Sequence, residues 1–159
     1  MKMRTQIAGL LGVMSFVAAF SAQAQLVDRK ALTLAEAKKA MAASVEEAKK
    51  NGWPVVIAVV DDVGAVLTLD RLDGAQRPSV EIAIGKARTA ALFRRPSGAL
   101  EEAIAKGRAA LLSASGHVFM QGGMPIVING ETIGAVGVSG VQAFQDEQVA
   151  KAGVAVVGK

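Results

Sequence analysis

The chain has 159 residues, a formal net charge of +4, one histidine, no tyrosine and no cysteine. Without cysteine there are no disulfides, no thiolate catalysis and no Cys-ligated metal sites, so stability must come from packing, with self-association as a further source. No basic run carries interleaved aromatic residues, which argues against nucleic acid as a partner. The composition leaves little material for a conventional catalytic centre.

The amino-terminal segment is typical of a secretory signal peptide. Two basic residues precede an apolar run over 7–20, which ends in the small-residue pattern Ala22-Gln23-Ala24. This run is shorter than the roughly 20 residues that span a bilayer, so a membrane anchor is disfavoured. The sequence therefore predicts a signal peptide over 1–24, a periplasmic or secreted location, no stable membrane insertion after cleavage, and a single domain over 25–159.

The first predicted elements are a helix and a hairpin. Thr33-Leu34-Ala35-Glu36 has the pattern of a capping box, apolar residues follow at helical spacing, and Gly52 provides a stop. The apolar run Val55–Val60 and the strand-like run Ala65–Arg71 then flank the turn-forming Asp61-Asp62-Val63-Gly64. We therefore expect an amphipathic helix followed by a first antiparallel hairpin.

Two helices are predicted in the middle of the chain. The first begins at Pro78-Ser79 and ends before Pro96, because proline disfavours helical geometry in the residue that precedes it. Its apolar face is mostly alanine, so it can lie close to a sheet or to a partner helix. The second is expected from Ala99 to about Leu112, and an irregular segment that contains His117 follows it.

A glycine-rich hairpin and a final helix complete the predicted elements. Asn129-Gly130 lies between the strand-like runs Met124–Ile128 and Glu131–Val138, and both turn residues tolerate the positive φ of a type I′ turn. Gly134 and Gly137 interrupt the second strand, which indicates a bulge, or a face pressed against a ligand or another backbone. An acidic pair and an apolar stripe then predict the final helix.

The element order is thus helix, hairpin, two helices, hairpin, helix. Hairpins pair antiparallel strands, and helices can cover the sheet that the hairpins build. We therefore expect an α/β fold of the α+β type, with a mainly antiparallel sheet flanked by helices on both faces. A doubly wound parallel sheet is not expected.

Two basic residues are candidates for binding an anionic ligand. Lys86 lies at the border between the polar and apolar faces of its helix, where its charge could meet a carboxylate while its stem covers apolar surface. Arg71 follows the first hairpin and could bind a carboxylate bidentately. The alternatives are a solvated Lys86 and a structural pair of Arg71 with Asp73 or Glu147.

His117 is the only histidine, and it lies near Met120 and Met124 in sequence. Histidine and methionine are the usual neutral axial ligands of haem iron, so His117 is a candidate ligand of a metal or of a tetrapyrrole iron. A lone histidine is, however, more often at the surface or hydrogen-bonded, and methionine usually fills gaps in the core. A zinc site is not supported, because the ligand spacing of such sites is absent.

Other catalytic and anion-binding patterns are weak. Ser139 can be combined with His117 and Asp61 or Asp146 into a hydrolase triad, but Gly137-Val138-Ser139-Gly140 is not a nucleophile elbow. The glycines could cradle an anion, yet no Gly-Lys-Ser or Gly-Lys-Thr follows them, and their spacing fits neither nucleotide-binding pattern. Tight strand packing explains these glycines equally well.

A series of short motifs runs along the predicted domain. The motifs are Ala58-Val59-Val60-Asp61 with Gly64, Arg71-Leu72-Asp73-Gly74-Ala75, Lys86-Ala87-Arg88-Thr89-Ala90, Gly122-Gly123-Met124-Pro125-Ile126, Gly134-Ala135-Val136-Gly137-Val138-Ser139-Gly140 and Gln145-Asp146-Glu147. Each motif alone is unspecific. Their order and spacing together resemble the GlcG/HbpS-like family of haem-binding proteins over nearly the whole mature chain.

The resemblance implies a profilin-like domain with an antiparallel sheet of about five strands between helices, and homo-oligomers as large as octamers. It also implies that some members bind haem, and a related domain fused to cobalamin adenosyltransferases is linked to corrinoid binding. The chain departs from the common pattern at Val141-Gln142-Ala143-Phe144, where the family often has a further glycine and an acidic residue. Phe144 could therefore change which ligand fits.

We therefore predict an exported, homo-oligomeric protein that binds haem or a related tetrapyrrole, with no catalytic residue assigned. One alternative is an enzyme or sensor for a small hydroxy or oxo acid, with Asp61 or Glu147 as the base. A second alternative is an oligomeric structural or partner-binding module. The candidate ligand-binding residues are Arg71, Lys86, Thr89, Phe93, His117, Gly122, Gly123, Ser139, Phe144 and Glu147.

Overall fold

A computed structural model describes residues 29–159, so the signal peptide predicted over 1–24 lies outside the described residues. The helices are α1 (Leu34–Asn51), α2 (Ser79–Phe93), α3 (Ser97–Ala105) and α4 (Ala143–Val154), and a short 3-10 helix covers Ala109–Ser113. The strands are β1 (Val56–Asp61), β2 (Val66–Arg71), β3 (Gly123–Ile128) and β4 (Glu131–Ser139). None of the helices within 29–159 has the length and apolarity to span a membrane.

The four strands form one antiparallel sheet in the order β2-β1-β4-β3. Each predicted hairpin supplies two neighbouring strands, and the hairpins meet along a central ladder that runs from Val56 paired with Ser139 to Asp61 paired with Gly134. The predicted α+β fold with an antiparallel sheet is confirmed. The expected count of about five strands is wrong by one for the described residues, because only the two hairpins contribute strands.

Helices cover both faces of the sheet, and β1 is buried on both. Ile57 and Val59 belong to a core formed with α1 and α4. Val56, Ala58 and Val60 belong to a second core formed with α2. Full burial of one valine or isoleucine side chain contributes about 1.5–3 kcal/mol, so this strand anchors both layers.

α2 lies close to the sheet because the facing residues are small. Its buried face carries Ala83, Ala87 and Ala90. A Cβ atom at Gly137 of β4 would collide with the carbonyl oxygen of Ala83 and the amide nitrogen of Ala87, and it would lie 2.7 Å from the Ala87 Cβ. The close approach predicted from this glycine is therefore confirmed, and the backbone that it meets is that of α2.

The second hairpin has the geometry that its sequence predicts. Asn129 and Gly130 have φ angles of 53° and 82°, as both central residues of a type I′ turn require. The register between β3 and β4 then shifts so that Ile133 has no opposite residue, which is the predicted bulge beside Gly134.

The helix boundaries agree with the sequence except in α3. Thr33 Oγ1 accepts from the Glu36 amide at 3.2 Å and starts α1 as expected, although the Glu36 carboxylate accepts from the Gly158 amide. α3 ends at Ala105, not near Leu112. Gly107, with a φ of 98°, turns the chain out of the helix at this point.

Candidate functional site

Lys86 and Asp146 form a buried ion pair between α2 and α4. The Lys86 Nζ atom lies 2.8 Å from Asp146 Oδ2 and donates to the Val138 carbonyl oxygen at 3.0 Å. The two side chains are 2% and 3% exposed. Lys86 was predicted to bind a ligand, and the alternative of a solvated lysine is wrong, because Lys86 is buried and Asp146 of α4 pairs with it.

The Asp146 carboxyl group is held in the first turn of α4. Its Oδ1 atom accepts from the Val141 amide at 3.2 Å, and its Oδ2 atom accepts from Lys86. Burial raises the pKa of Asp146, whereas the hydrogen bond and charge of Lys86 and the amides of Val141 and Gly140 act in the opposite direction. Both carboxyl oxygens are thus engaged within the fold.

Gly122 and Gly123 allow the chain to pass beside this ion pair. Gly122 has a φ of 124°, and a Cβ atom there would lie 2.9 Å from Lys86 Nζ and 2.9 Å from Asp146 Cβ. A Cβ atom at Gly123 would collide with the Lys86 carbonyl group. Both glycines were predicted to bind a ligand, and the structure places both against Lys86.

A cleft of about 190 Å³ opens above the ion pair. Ser79, Met120, Ser139 and Gly140 contribute to its lining. Ser139, a predicted ligand-binding residue, therefore shares this cleft with Lys86. His117 is not among the lining residues of the cleft, so the structure gives no support to a triad of Ser139 with His117.

Three aromatic rings cluster where α2 meets the segment that leads into β3. The ring of His117 lies edge-on to Phe93 at a centroid distance of 5.0 Å and stacks on Phe119 at 6.0 Å. Phe93 also meets Phe119 edge-on, at 5.7 Å. Edge-to-face and offset contacts of this kind are favourable and fix ring orientation. We call these three residues the aromatic cluster.

A shallow depression of about 350 Å³ lies beside the aromatic cluster. Leu112 and Met120 on its lining are 63% and 47% exposed. An exposed apolar surface with polar residues at its edge is typical of a ligand or partner site. The complete lining is Glu101, Ile104, Leu112, His117, Val118, Phe119 and Met120.

The His117 imidazole has a defined hydrogen-bond partner. Its Nδ1 atom lies 3.0 Å from the Ser115 carbonyl oxygen. A carbonyl oxygen can only accept, so Nδ1 carries the hydrogen and Nε2 of the neutral ring keeps its lone pair. The same arrangement orients metal-ligating histidines in proteins. In this orientation Nε2 is the ring nitrogen that a metal ion could bind.

Side chains from α2 and α3 fasten the segment that carries the aromatic cluster. Thr89 Oγ1 accepts from the Val118 amide at 3.0 Å. Ser97 Oγ accepts from the Gly123 amide at 2.8 Å and donates to the Met120 carbonyl oxygen at 2.6 Å. Thr89, predicted to bind a ligand, is fully buried and holds this segment in place.

Arg71 is not brought together with the other predicted residues. It ends β2, whereas the aromatic cluster precedes β3, and these strands are opposite edges of the sheet. Three strand spacings of about 4.8 Å separate the two edges. The Arg71 guanidinium donates from Nη2 to the Ala75 carbonyl oxygen at 3.1 Å, so the expected pairing with Asp73 or Glu147 is replaced by this bond.

Of the remaining candidates, Glu147 lines a cavity together with Glu101, which also lines the depression beside the aromatic cluster. Glu147 pairs with Lys151 at 2.5 Å. Phe144 is 63% exposed at the start of α4. The Asp61 Oδ1 atom accepts from the amides of Val63 and Ala65 at 3.0 and 2.8 Å and closes the first hairpin.

Sequence reasoning missed Phe119, Ser97 and the pairing of Lys86 with Asp146. Phe119 could have been found, because residues two apart in an extended segment share a face, and His117 was already a candidate. Ser97 and the ion pair depend on contacts between elements distant in sequence, for which no local signal exists. Within residues 29–159, no group of three or more His, Asp or Glu side chains could hold a metal ion.

The fold and these surfaces define a class of small α+β domains, in which an antiparallel sheet lies between helices and a histidine borders an open apolar surface. The chain belongs to the HbpS-like family, described as haem degrading protein HbpS-like, whose family model matches residues 32–155. The GlcG/HbpS-like resemblance is therefore confirmed.

Individual relatives agree with this assignment. Protein GlcG of Escherichia coli strain K12 is 48% identical over 99 residues, which are 62% of this chain and 74% of that protein. The chain in the crystal structure of a double mutant of Streptomyces reticuli HbpS has 37% sequence identity with this one. The two structures superpose with a TM-score of 0.80, and the match covers 93% of this chain and 100% of that chain. The crystal structure of a PduOC:Heme complex is 27% identical, with a TM-score of 0.74 over 81% and 96% of the two chains.

Proposed function

We propose that the protein is an exported, homo-oligomeric protein that binds haem or a related tetrapyrrole at the aromatic cluster. The observation that carries this proposal is His117, which lines an open apolar depression and whose Nδ1 atom lies 3.0 Å from the Ser115 carbonyl oxygen. The PduOC relative that was crystallised with haem and the description of the family support the choice of ligand.

The residues of the cluster fit the chemistry of a tetrapyrrole. A neutral histidine nitrogen is a common axial ligand of haem iron, and the thioether of the exposed Met120 is a second suitable donor. The apolar side chains of Leu112 and Ile104 can bury the faces of the ring. When bound, haem would supply redox-active iron, while the protein holds the ring and excludes water from it.

Arg95 is the proposed partner of the propionate groups. Its Nε atom donates to the backbone carbonyl oxygen of Phe93, a residue of the aromatic cluster, at 3.3 Å. Lys86 is committed to Asp146, and Arg71 lies at the opposite edge of the sheet. Neither of these two cations is therefore assigned to the propionate groups.

Haemin titration of the purified protein over residues 25–159 tests this proposal. We expect a saturable shift of the Soret band in the wild type. His117→Ala should weaken binding at least about tenfold, since it removes the iron ligand and one ring of the cluster. Leu34→Ala is a matched control, because Leu34 is an exposed apolar residue at the start of α1, and α1 covers the opposite face of the sheet from α2, which carries Phe93.

Two results would contradict the ligand assignment. The first is the absence of a saturable Soret shift. The second is an unchanged shift in both His117→Ala and Met120→Leu, which would show that neither side chain meets the iron. Sedimentation equilibrium with and without haemin measures the oligomer, with an octamer as the largest expected state. Fractionation of expressing cells and sequencing of the mature amino terminus test export and cleavage after residue 24.

The small-acid alternative has less support from the geometry. It needs Arg71 and Lys86 to hold one carboxylate, but Lys86 is buried in its ion pair and Arg71 lies on β2. Asp61, its proposed base, accepts from two amides of its own turn. Stabilisation by hydroxy or oxo acids without any response to haemin would reverse this ranking.

A further inference from the structure

A second cleft, of about 700 Å³, lies where α1 ends and the segment after β2 begins. Its lining includes the apolar residues Trp53, Pro54 and Leu72, with charged residues at its edge. It has no lining residue in common with the depression beside the aromatic cluster. The cleft is therefore a separate surface with its own chemistry.

The apolar wall of this cleft is held in place by the backbone. α1 ends with Gly52 in the left-handed conformation, at a φ of 67°, and the Trp53 amide donates to the Ala48 carbonyl oxygen at 2.9 Å. The Leu72 amide donates to the Val55 carbonyl oxygen at 3.0 Å. Trp53 and Leu72 also pack partly against the core. A ligand would therefore meet a preformed wall and would lose little affinity to ordering.

The charged edge of the cleft is formed by Lys49, Arg71 and Asp73. The bond from Arg71 to the Ala75 carbonyl oxygen restricts its side chain, while a guanidinium group has further N–H donors for a ligand. The cations that form ion pairs within residues 29–159 are Lys39, Lys86, Lys106 and Lys151. Lys49 and Arg71 are not among them, so the edge, with Asp73 included, carries two positive charges and one negative charge.

We infer that this cleft binds a small aromatic monocarboxylate. The carboxylate would lie against Arg71 and Lys49, and the ring would pack on Trp53 and Leu72. Arginine matches a carboxylate with two parallel hydrogen bonds, and an indole favours offset stacking with a second ring. Asp73 at the same edge disfavours a second negative charge, so monocarboxylates should bind better than dicarboxylates.

Trp53 is the only tryptophan, so its indole N–H signal in a nitrogen–proton NMR correlation spectrum reports on this cleft alone. Benzoate should move this signal in a saturable way. Benzamide, which has the same shape without the charge, and phthalate, which has two charges, should each bind about tenfold more weakly. No saturable movement with benzoate, or equal binding of benzoate and benzamide, would overturn the inference.

Variants of the two cations complete the test. Arg71→Gln should weaken benzoate binding about tenfold, and Lys49→Gln about threefold, because the lysine is a surface charge. Lys50→Gln is the matched control, since Lys50 neighbours Lys49 in the last turn of α1 but does not line the cleft. Unchanged affinity in Lys49→Gln and Arg71→Gln would overturn the inference. Lys49→Gln remains decisive if Arg71→Gln does not fold, and the haemin titration has no bearing on either outcome.

Discussion

Replacement of Lys86 with methionine should lower the free energy of unfolding by about 3–5 kcal/mol, because the loss of one partner leaves the other charge buried without compensation. The Lys86 Nζ and Asp146 Oδ2 atoms are 2.8 Å apart, and both side chains are at most 3% exposed. Asp146→Leu should destabilise the fold by a similar amount, since it leaves the ammonium group in the same position.

The double variant Lys86→Met with Asp146→Leu should be more stable than either single variant. It replaces both charges with apolar side chains, and such replacements of buried ion pairs are often neutral. The Val141 amide, however, loses its acceptor in the double variant. A residual loss of about 1–3 kcal/mol is therefore expected.

Urea unfolding followed by far-ultraviolet circular dichroism measures these differences. With a slope of about 2 kcal/mol/M, a loss of 3–5 kcal/mol lowers the midpoint by about 1.5–2.5 M. Lys106→Met is the control, because Lys106 pairs with Glu102 on the surface of α3, with side chains 73% and 64% exposed. A urea midpoint of Lys86→Met no lower than that of Lys106→Met would show that the buried pair does not stabilise the fold. The same conclusion would follow if the losses of free energy in Lys86→Met and Asp146→Leu simply added up in the double variant.

The pH dependence gives an independent check. In Lys86→Met, burial still raises the pKa of Asp146, and the opposing charge of Lys86 is gone. The folded variant then binds a proton more readily than the unfolded chain, so its stability relative to the wild type should increase as the pH falls. A difference that does not change with pH would show that the carboxyl group is not desolvated.

Further predictions follow from the glycines, the tethers and the surface carboxylates. Gly130→Ala should lower the free energy of unfolding by about 1–2 kcal/mol, because alanine is strained at a φ of 82° although the space around it is open. Gly137→Ala should lower it by about 3 kcal/mol, because the new Cβ atom collides with α2. Equal shifts of the two variants in thermal melts would contradict this difference. Ser97→Ala should cost about 1–3 kcal/mol and weaken haemin binding in the Soret titration, because an amide that fastens the aromatic cluster loses its acceptor. The hydrogen bond from Gln148 lowers the pKa of Glu47 below 4.5, so its contribution to stability is present above that value and is lost as the pH falls. In the wild type, the urea midpoint should therefore fall as the pH drops below about 4.5, and this fall should be smaller in Glu47→Gln. An equal fall in both proteins would show that Glu47 does not contribute.

The parts of the fold that the sequence predicts are those fixed by local chemistry. A type I′ turn requires positive φ at both central residues, and Asn129 and Gly130 are residue types that tolerate it. Thr33 starts α1 because its hydroxyl oxygen accepts from a backbone amide that has no partner within the helix. The end of α3 was misplaced because apolar periodicity continues past Ala105, while Gly107 stops the helix. The spacing of apolar residues favours a longer helix, but the left-handed conformation of Gly107 ends it.

The candidate site was less predictable for a physical reason. His117 was recognisable by its residue type, but its orientation depends on Ser115 and on the rings of Phe93 and Phe119. The sequence places Lys86 at the border between the polar and apolar faces of α2. The spacing of apolar residues within α2 carries no information about which other element packs against that border. The burial of Lys86 follows from the packing of α4 on the sheet, which brings Asp146 to it from the other end of the domain.

The strand order has a consequence for the way in which the chain reaches this fold. Within residues 29–159 a single ladder, between β1 and β4, joins the two hairpins, and its paired residues are 73 positions apart at Asp61–Gly134 and 83 apart at Val56–Ser139. Each hairpin can form early by itself, but the central ladder requires closure of a long loop, which is entropically slow. Until that closure, the apolar edges of β1 and β4 are open to pairing with another molecule. Refolding yield should therefore fall steeply as the protein concentration rises.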